Sequence, residues 1–144
     1  MNEHIKFMRE AIKEAELARS KDEVPIGAIV VYEGLIIARA HNLVETLTDA
    51  TAHAEMQAIT SAANYFGKKY LPECILYVTV EPCSMCAGAC YWSQVGSIVF
   101  GAKDPKRGYS NIGEHLIHPK TKVIKGILSE ECGQLMVDFF KQKR

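Results

Sequence analysis

At 144 residues the chain has the length of one domain, enough to bury about two-thirds of its unfolded surface without help from disulfides. Its 48% hydrophobic and 24% charged residues are the balance of a globular protein, with no repeat, linker or low-complexity tract, and no run nears the ~20 apolar residues of a membrane span. Lys plus Arg and Asp plus Glu number 17 each, and a neutral chain argues against a nucleic-acid binder unless its cations share one face.

Ile5, Met8, Ile12 and Ala15 recur at three- and four-residue steps with charged residues between them. This spacing predicts an amphipathic helix from Asn2, as N-cap, to near Arg19. The apolar runs 26–32 and 35–38 flank Glu33-Gly34 and predict a β-hairpin whose strands are covered on both faces. A polar loop over 41–51 leads to a helix that carries His53 and Glu55 and ends near Phe66-Gly67. Ile75 to Val80 reads as a buried strand, Pro82 as the turn before a helix over 84–93, and Ser97 to Phe100 as a further strand. After a Gly-, Pro- and Lys-rich loop, Lys122 to Ile124 is a short strand, and Ser129 caps a last helix from Glu130 to about Phe140. Strands alternating with helices predict an α/β domain over 1–144, one sheet with helices on both faces.

The five cysteines are an odd number, and the mixed charge of Met1 to Lys6 shows no secretory pattern. Reduced thiols, some of them metal-bound, and a cytoplasmic location are expected. His53, Cys83 and Cys86 are three soft ligands for zinc, leaving a fourth tetrahedral position for water. Both cysteines open a helix, three residues apart on one face, where the positive helix end favours thiolate. Zinc lowers the pKa of a bound water to about 7, so the expected nucleophile is hydroxide with Glu55 as proton shuttle. Histidine, a glutamate two residues on and P-C-x-x-C form the signature of zinc nucleobase deaminases. A C-x-x-C alone also serves redox motifs and structural zinc knuckles. The structural alternative needs a fourth ligand from Cys74, Cys90 or Cys132, with Cys90 best placed; all three read more simply as buried small hydrophobes. His4, His41, His115 and His118 read as surface residues.

The chain resembles the cytidine deaminase-like superfamily, most closely its bacterial tRNA-specific adenosine deaminases. The resemblance rests on Val24-Pro25-Ile26-Gly27-Ala28, Thr51-Ala52-His53-Ala54-Glu55-Met56, and Leu76 through Ala89 with Glu81-Pro82-Cys83-Ser84-Met85-Cys86. Val99 to Asp104 and the tail from Gly126 through Phe140 extend it, in collinear order, over almost the whole chain. It implies a three-layer α/β/α fold with a mixed five-stranded sheet, and a homodimer with one zinc per subunit. The implied reaction converts adenosine to inosine at the wobble position of an arginine tRNA anticodon. By motif position His53, Cys83 and Cys86 would bind zinc and Glu55 would move protons. The backbone amide of Ala54 and the side chain of Asn42 would meet the base, and Asp104 and Lys106 would touch the anticodon loop, their other reading being a solvated turn.

Tyr91-Trp92 instead is similar to the guanine deaminase branch, which keeps a free nucleobase or nucleoside as the alternative substrate; a zinc-stabilised binding module is the third reading. For a tRNA enzyme, Lys68, Lys69, Lys103, Lys106, Arg107, Lys120, Lys122 and the tail Lys141-Gln142-Lys143-Arg144 are expected to gather around the metal mouth. The stretch 107–125 departs from the family pattern.

Overall fold

The computed structural model describes residues 2–143, so Met1 of the N-terminal stretch and Arg144 of the basic tail lie outside the described residues. Its elements run α1 (Asn2–Ser20), β1 (Gly27–Tyr32), β2 (Leu35–His41), α2 (Val44–Leu47), α3 (Ala54–Phe66), β3 (Cys74–Val80), α4 (Ser84–Ser93), β4 (Ser97–Ala102), β5 (Lys122–Lys125) and α5 (Ser129–Gln142). The five strands form one sheet in the order β2-β1-β3-β4-β5. β1 is antiparallel to both its neighbours, whereas β3, β4 and β5 are parallel, so the sheet is mixed as expected. Glu33 and Gly34 both take positive φ (49° and 78°) in the two-residue turn between β1 and β2, the geometry that suits a tight hairpin.

Alternation along the strands divides the core in two. Ala28, Val30, Leu76, Val78, Ile98 and Phe100 point to one face, where Ala54, Ala58, Ala62, Ala87 and Cys90 of α3 and α4 cover them. Ile29, Val31, Tyr77 and Val99 point to the other, under Phe7, Met8, Ala11 and Ile12 of α1 and Cys132 of α5. The result is the three-layer α/β/α sandwich. β1 and β3 are buried along nearly their whole length, whereas β2 is the partly exposed edge, so the hairpin is covered on both faces only in its first strand.

Three local expectations change. The polar loop over 41–51 contains the short helix α2. It forms there because the buried carboxylate of Glu23 accepts the Glu45 N–H (3.1 Å), the Thr46 N–H (2.6 Å) and the Thr46 hydroxyl (2.7 Å), satisfying the donors at its start. Ser129 does not cap α5: Leu128 is the cap residue, in the left-handed region at φ 55°, and no side chain bonds the helix start. The divergent stretch after Arg107 folds into two 3-10 turns, Tyr109–Asn111 and Glu114–Leu116. No helix is long and apolar enough to cross a membrane among the described residues.

Candidate active site

The metal-ligating candidates come from two helix starts on the same sheet face. His53 is the N-cap of α3, and Cys83 the N-cap of α4. Neither makes a side-chain capping bond, so the imidazole and thiol are free to turn towards each other. Cys86 lies one turn into α4, fully buried beneath them. The Nδ1 of His53 lies 3.6 Å from Cys83 Sγ and 3.5 Å from Cys86 Sγ, and all three donor atoms fall within 4.8 Å of one another. Two ligands at ~2.05 Å (N) and ~2.3 Å (S) on one tetrahedral ion stand about 3.6 Å apart, so both histidine–cysteine edges already match those of a metal-binding face. Cys90, one turn further along α4, is outside this converging set and packed in the core. Cys74 and Cys132 are buried as well, which leaves three protein donors and no fourth among the described residues.

The electrostatics suit a cation. Hydrogen bonds from Cys86 and His53 hold the Cys83 thiol down to about 4, a thiolate at neutral pH, against the opposing effect of burial. The same bond to Cys83, reinforced by burial, pushes Cys86 up, so in the metal-free protein the pair keeps one proton. His53 is raised by its bond to Cys83 and the nearby negative charges.

Glu55 sits in the first turn of α3 and is 3% exposed. Burial above all, with the neighbouring Cys83 thiolate, pushes its carboxyl up to about 7, against the pull of its own backbone N–H, of His53 and of the Cys86 thiol. A carboxyl poised there can both take and return a proton near neutrality.

Asn42 follows the end of β2 and is 6% exposed, yet its side chain makes no hydrogen bond within the described residues. Ala54 is fully buried at the first position of α3, where a backbone N–H has no partner inside the helix. Asp104 is committed locally: its Oδ1 accepts the N–H groups of Lys106 and Arg107 (both 3.0 Å), so its carboxylate shapes a turn. Lys106 is exposed on that turn.

Glu81, which the sequence offered only as part of a motif, organises this loop. Buried to 3% exposure, it accepts the Asp104 N–H (3.0 Å), the Ser110 N–H (3.0 Å) and the Ser110 hydroxyl (2.6 Å). Gly108 is needed beside it, because a Cβ there would land inside the Glu81 carboxylate. A bridge between Cys83 and Gly108 and the bond from Tyr109 N–H to the Pro82 carbonyl then fasten the loop to the metal strand (2.9 Å for the latter). The one signal for Glu81 in the sequence was an acid ending an apolar strand; for Glu23 there was none.

The expected gathering of cations is not made within one chain. Lys103, Lys106 and Arg107 ride on the Glu81 loop beside Cys83, and the Arg107 charge reaches His53. Lys68 and Lys69 follow α3, whose 13 residues carry them about 20 Å from His53. Lys120 and Lys122 line a groove of about 360 Å³ with Pro72, Gln94 and Gly96, at the starting ends of β3 and β4, whereas Cys83 follows the finishing end of β3. Topology separates them: a helix or strand of this length spans the sheet. Tyr91 and Trp92 end α4, away from the metal face, with Trp92 78% exposed. Of the histidines read as surface residues only His115 is exposed; His4 bonds the Tyr77 hydroxyl (2.8 Å), His41 pairs with Glu14 (2.9 Å), and His118 packs at a tilt against Tyr91.

Comparison with known proteins gives one consistent result. The model of the MafB19-like deaminase family matches residues 2–144. A tRNA-specific adenosine deaminase of Bacillus subtilis (strain 168) is 49% identical over 143 residues, covering 96% of this chain and 89% of that one. A structure from work on A-to-I editing by tRNA:A34 deaminases at the wobble position superposes with a TM-score of 0.84 at 38% identity, covering 90% of this chain and 98% of that one. A guanine deaminase from Nitrosomonas europaea matches less well, with a TM-score of 0.78 at 26% identity over 92% of this chain and 81% of that one.

Proposed function

The chain belongs to the MafB19-like deaminase family, and from that membership we propose that this hydrolytic deaminase converts adenosine to inosine at the wobble position of a tRNA anticodon. The observation that carries the chemistry is the convergence of His53, Cys83 and Cys86 next to a buried glutamate whose carboxyl is raised to about 7. We assign the three donors to one zinc ion per subunit, which when bound acts as a Lewis acid that makes water a competent nucleophile at neutral pH.

Glu55 carries the protons. It takes one from the attacking water to the ring nitrogen N1 of adenine, and moves a second from the new hydroxyl to the departing amine. Adenine plus water thereby becomes hypoxanthine plus ammonia, with the carboxyl restored. Asn42 offers an unpaired carboxamide to the base, and the Ala54 N–H a donor at the helix start. An anticodon loop suits such a site because its bases are unstacked and can be splayed into a pocket.

Lys103, Lys106 and Arg107 are the cations in place to meet its phosphates, and Asp104 serves by shaping the turn that presents them. We place the enzyme in the cytoplasm with its substrate, as a homodimer. Exposed Tyr65, Tyr91 and Trp92 at the far ends of α3 and α4 are the apolar surface offered for pairing. α5 packs on β3, β4 and α1, and Lys143, just past its end, pairs with Asp22, which leaves His53 and Cys83 partly exposed to a macromolecule.

The test is a paired deamination assay on zinc-loaded protein, read by mass spectrometry. One arm holds a tRNA with adenosine at the wobble position; the other holds free guanine, adenine, adenosine and cytidine. Inosine formed in the tRNA alone is the expected result. Turnover of a free base with untouched tRNA would overturn the substrate assignment.

A further inference from the structure

The carboxamide of Gln57 joins three segments that the site must hold in register. Its Nε2 lies 2.8 Å from the His41 carbonyl, 3.1 Å from that of Ala52 and 3.4 Å from that of His53. These carbonyls belong to the end of β2, the turn before α3 and the residue that leads α3. Two N–H groups serve three acceptors, so the side chain acts as a shared clasp. It is not needed to start the helix, because the backbone N–H of Gln57 already bonds the His53 carbonyl at 3.2 Å.

The clasp acts on both neighbours of the chemistry. His41 immediately precedes Asn42, whose own N–H donates to the Ile26 carbonyl (3.1 Å), and the next N–H, of Leu43, donates to Ala52 (3.0 Å). The backbone around Asn42 is thus held at three points, one of them the Gln57 side chain. On its other side the same amide touches the carbonyl of His53, the residue that turns its imidazole towards Cys83 and Cys86. The Gln57 amide is thus the side-chain link between the backbone before Asn42 and the carbonyl of His53, beside the backbone bond from Leu43 to Ala52.

We propose that Gln57 is a positioning residue that fixes Asn42 relative to His53 and so sets affinity for the base being deaminated. This rests on the role given above to Asn42 and deepens it. A position that only filled a helix surface would need no donor, whereas this one joins the His41 carbonyl, 16 residues away, to the turn just before its own helix.

The experiment is a double-mutant cycle of Gln57→Met and Asn42→Ala on the zinc-loaded enzyme, with whichever substrate the wild type turns over in the paired assay. Gln57→Met keeps length and loses both donors. It should raise KM about five- to tenfold with kcat changed less than about twofold, and with zinc content and melting temperature near wild type. In the Asn42→Ala background the same change should move KM by less than about twofold, since two residues acting through one contact are not additive. Should Gln57→Met fail to fold, Gln57→Glu keeps the size and turns a carboxylate on the three carbonyls, with the same KM effect expected. An unchanged KM in an active Gln57 variant, or a full additive effect on Asn42→Ala, overturns the inference alone. Zinc loss with a fallen kcat overturns it too, by making Gln57 structural. A wild type inactive on every substrate overturns the underlying functional reading and the inference with it.

Discussion

Glu23 and Glu55 are both buried at the same end of the sheet, 1% and 3% exposed, and their carboxyls behave in opposite ways. Burial pushes on Glu23 too, but the Thr46 hydroxyl and the N–H groups of Thr46 and Glu45 outweigh it and hold the carboxyl below its usual range. Glu55 has only its own N–H, a thiol and the charge of His53 to set against burial and a neighbouring thiolate, and it rises to about 7. Donors, more than depth, decide which buried acid stays a charged clamp and which can trade protons. The site therefore separates its structural acids, Glu23 and Glu81, each bonded to a loop, from the one left free for chemistry.

Breaking the metal face should have the largest effect. Cys86→Ala removes one of three donors, and both bound zinc and deamination should fall to background, while α2 and its Glu23 clamp remain. Metal analysis alongside the assay checks this; an active, zinc-free variant would contradict the assignment. Next comes the stability cost of Glu55. Because its folded pKa lies above the ordinary glutamate value of 4.5, the acid is comfortable when protonated, and its penalty grows as pH rises from about 4.5 to about 7. In the metal-free protein Glu55→Gln should therefore be stabilising by about 3 kcal/mol at pH 8 and nearly neutral at pH 4 in urea unfolding.

Glu23→Ala should do the reverse. It strands three donors and should cost about 2 kcal/mol at pH 7, with kcat little changed. Since the Glu23 pKa is lowered, the wild-type advantage is present above the usual carboxylate range and lost as pH falls through it. The smallest effect is electrostatic: with Lys103, Lys106 and Arg107 near the mouth, RNA binding should weaken with salt at a log–log slope of about −2, whereas a free base should show almost none.

Much of this architecture is legible along the chain because it is local. The helix over 84–93 follows from a proline after an apolar strand, and period-2 and period-3.6 patterns separate strands from helices. The convergence of His53 with Cys83 and Cys86 follows from two helix starts on one sheet face. What escaped is long-range. α2 exists because a carboxylate 22 residues earlier accepts its N–H groups, and no local pattern in Val44–Leu47 announces it. The Gln57 clasp reaches a carbonyl 16 residues away, and the division of the lysines depends on which end of each element faces His53, Cys83 and Cys86. Leu128 takes a left-handed turn where Ser129 looked like the cap, in a helix that packs on β4, and no local pattern announces that turn.

The contrast between the two acids meets its most direct test in Glu55→Ala. The variant is compared with wild type for zinc content, unfolding and deamination of the same tRNA. Removing the carboxyl to which we assign the proton transfers, while leaving His53, Cys83 and Cys86 in place, should retain one zinc per subunit and a folded protein, yet lower the rate by about a thousandfold. A zinc-loaded Glu55→Ala protein with near wild-type turnover would contradict the account.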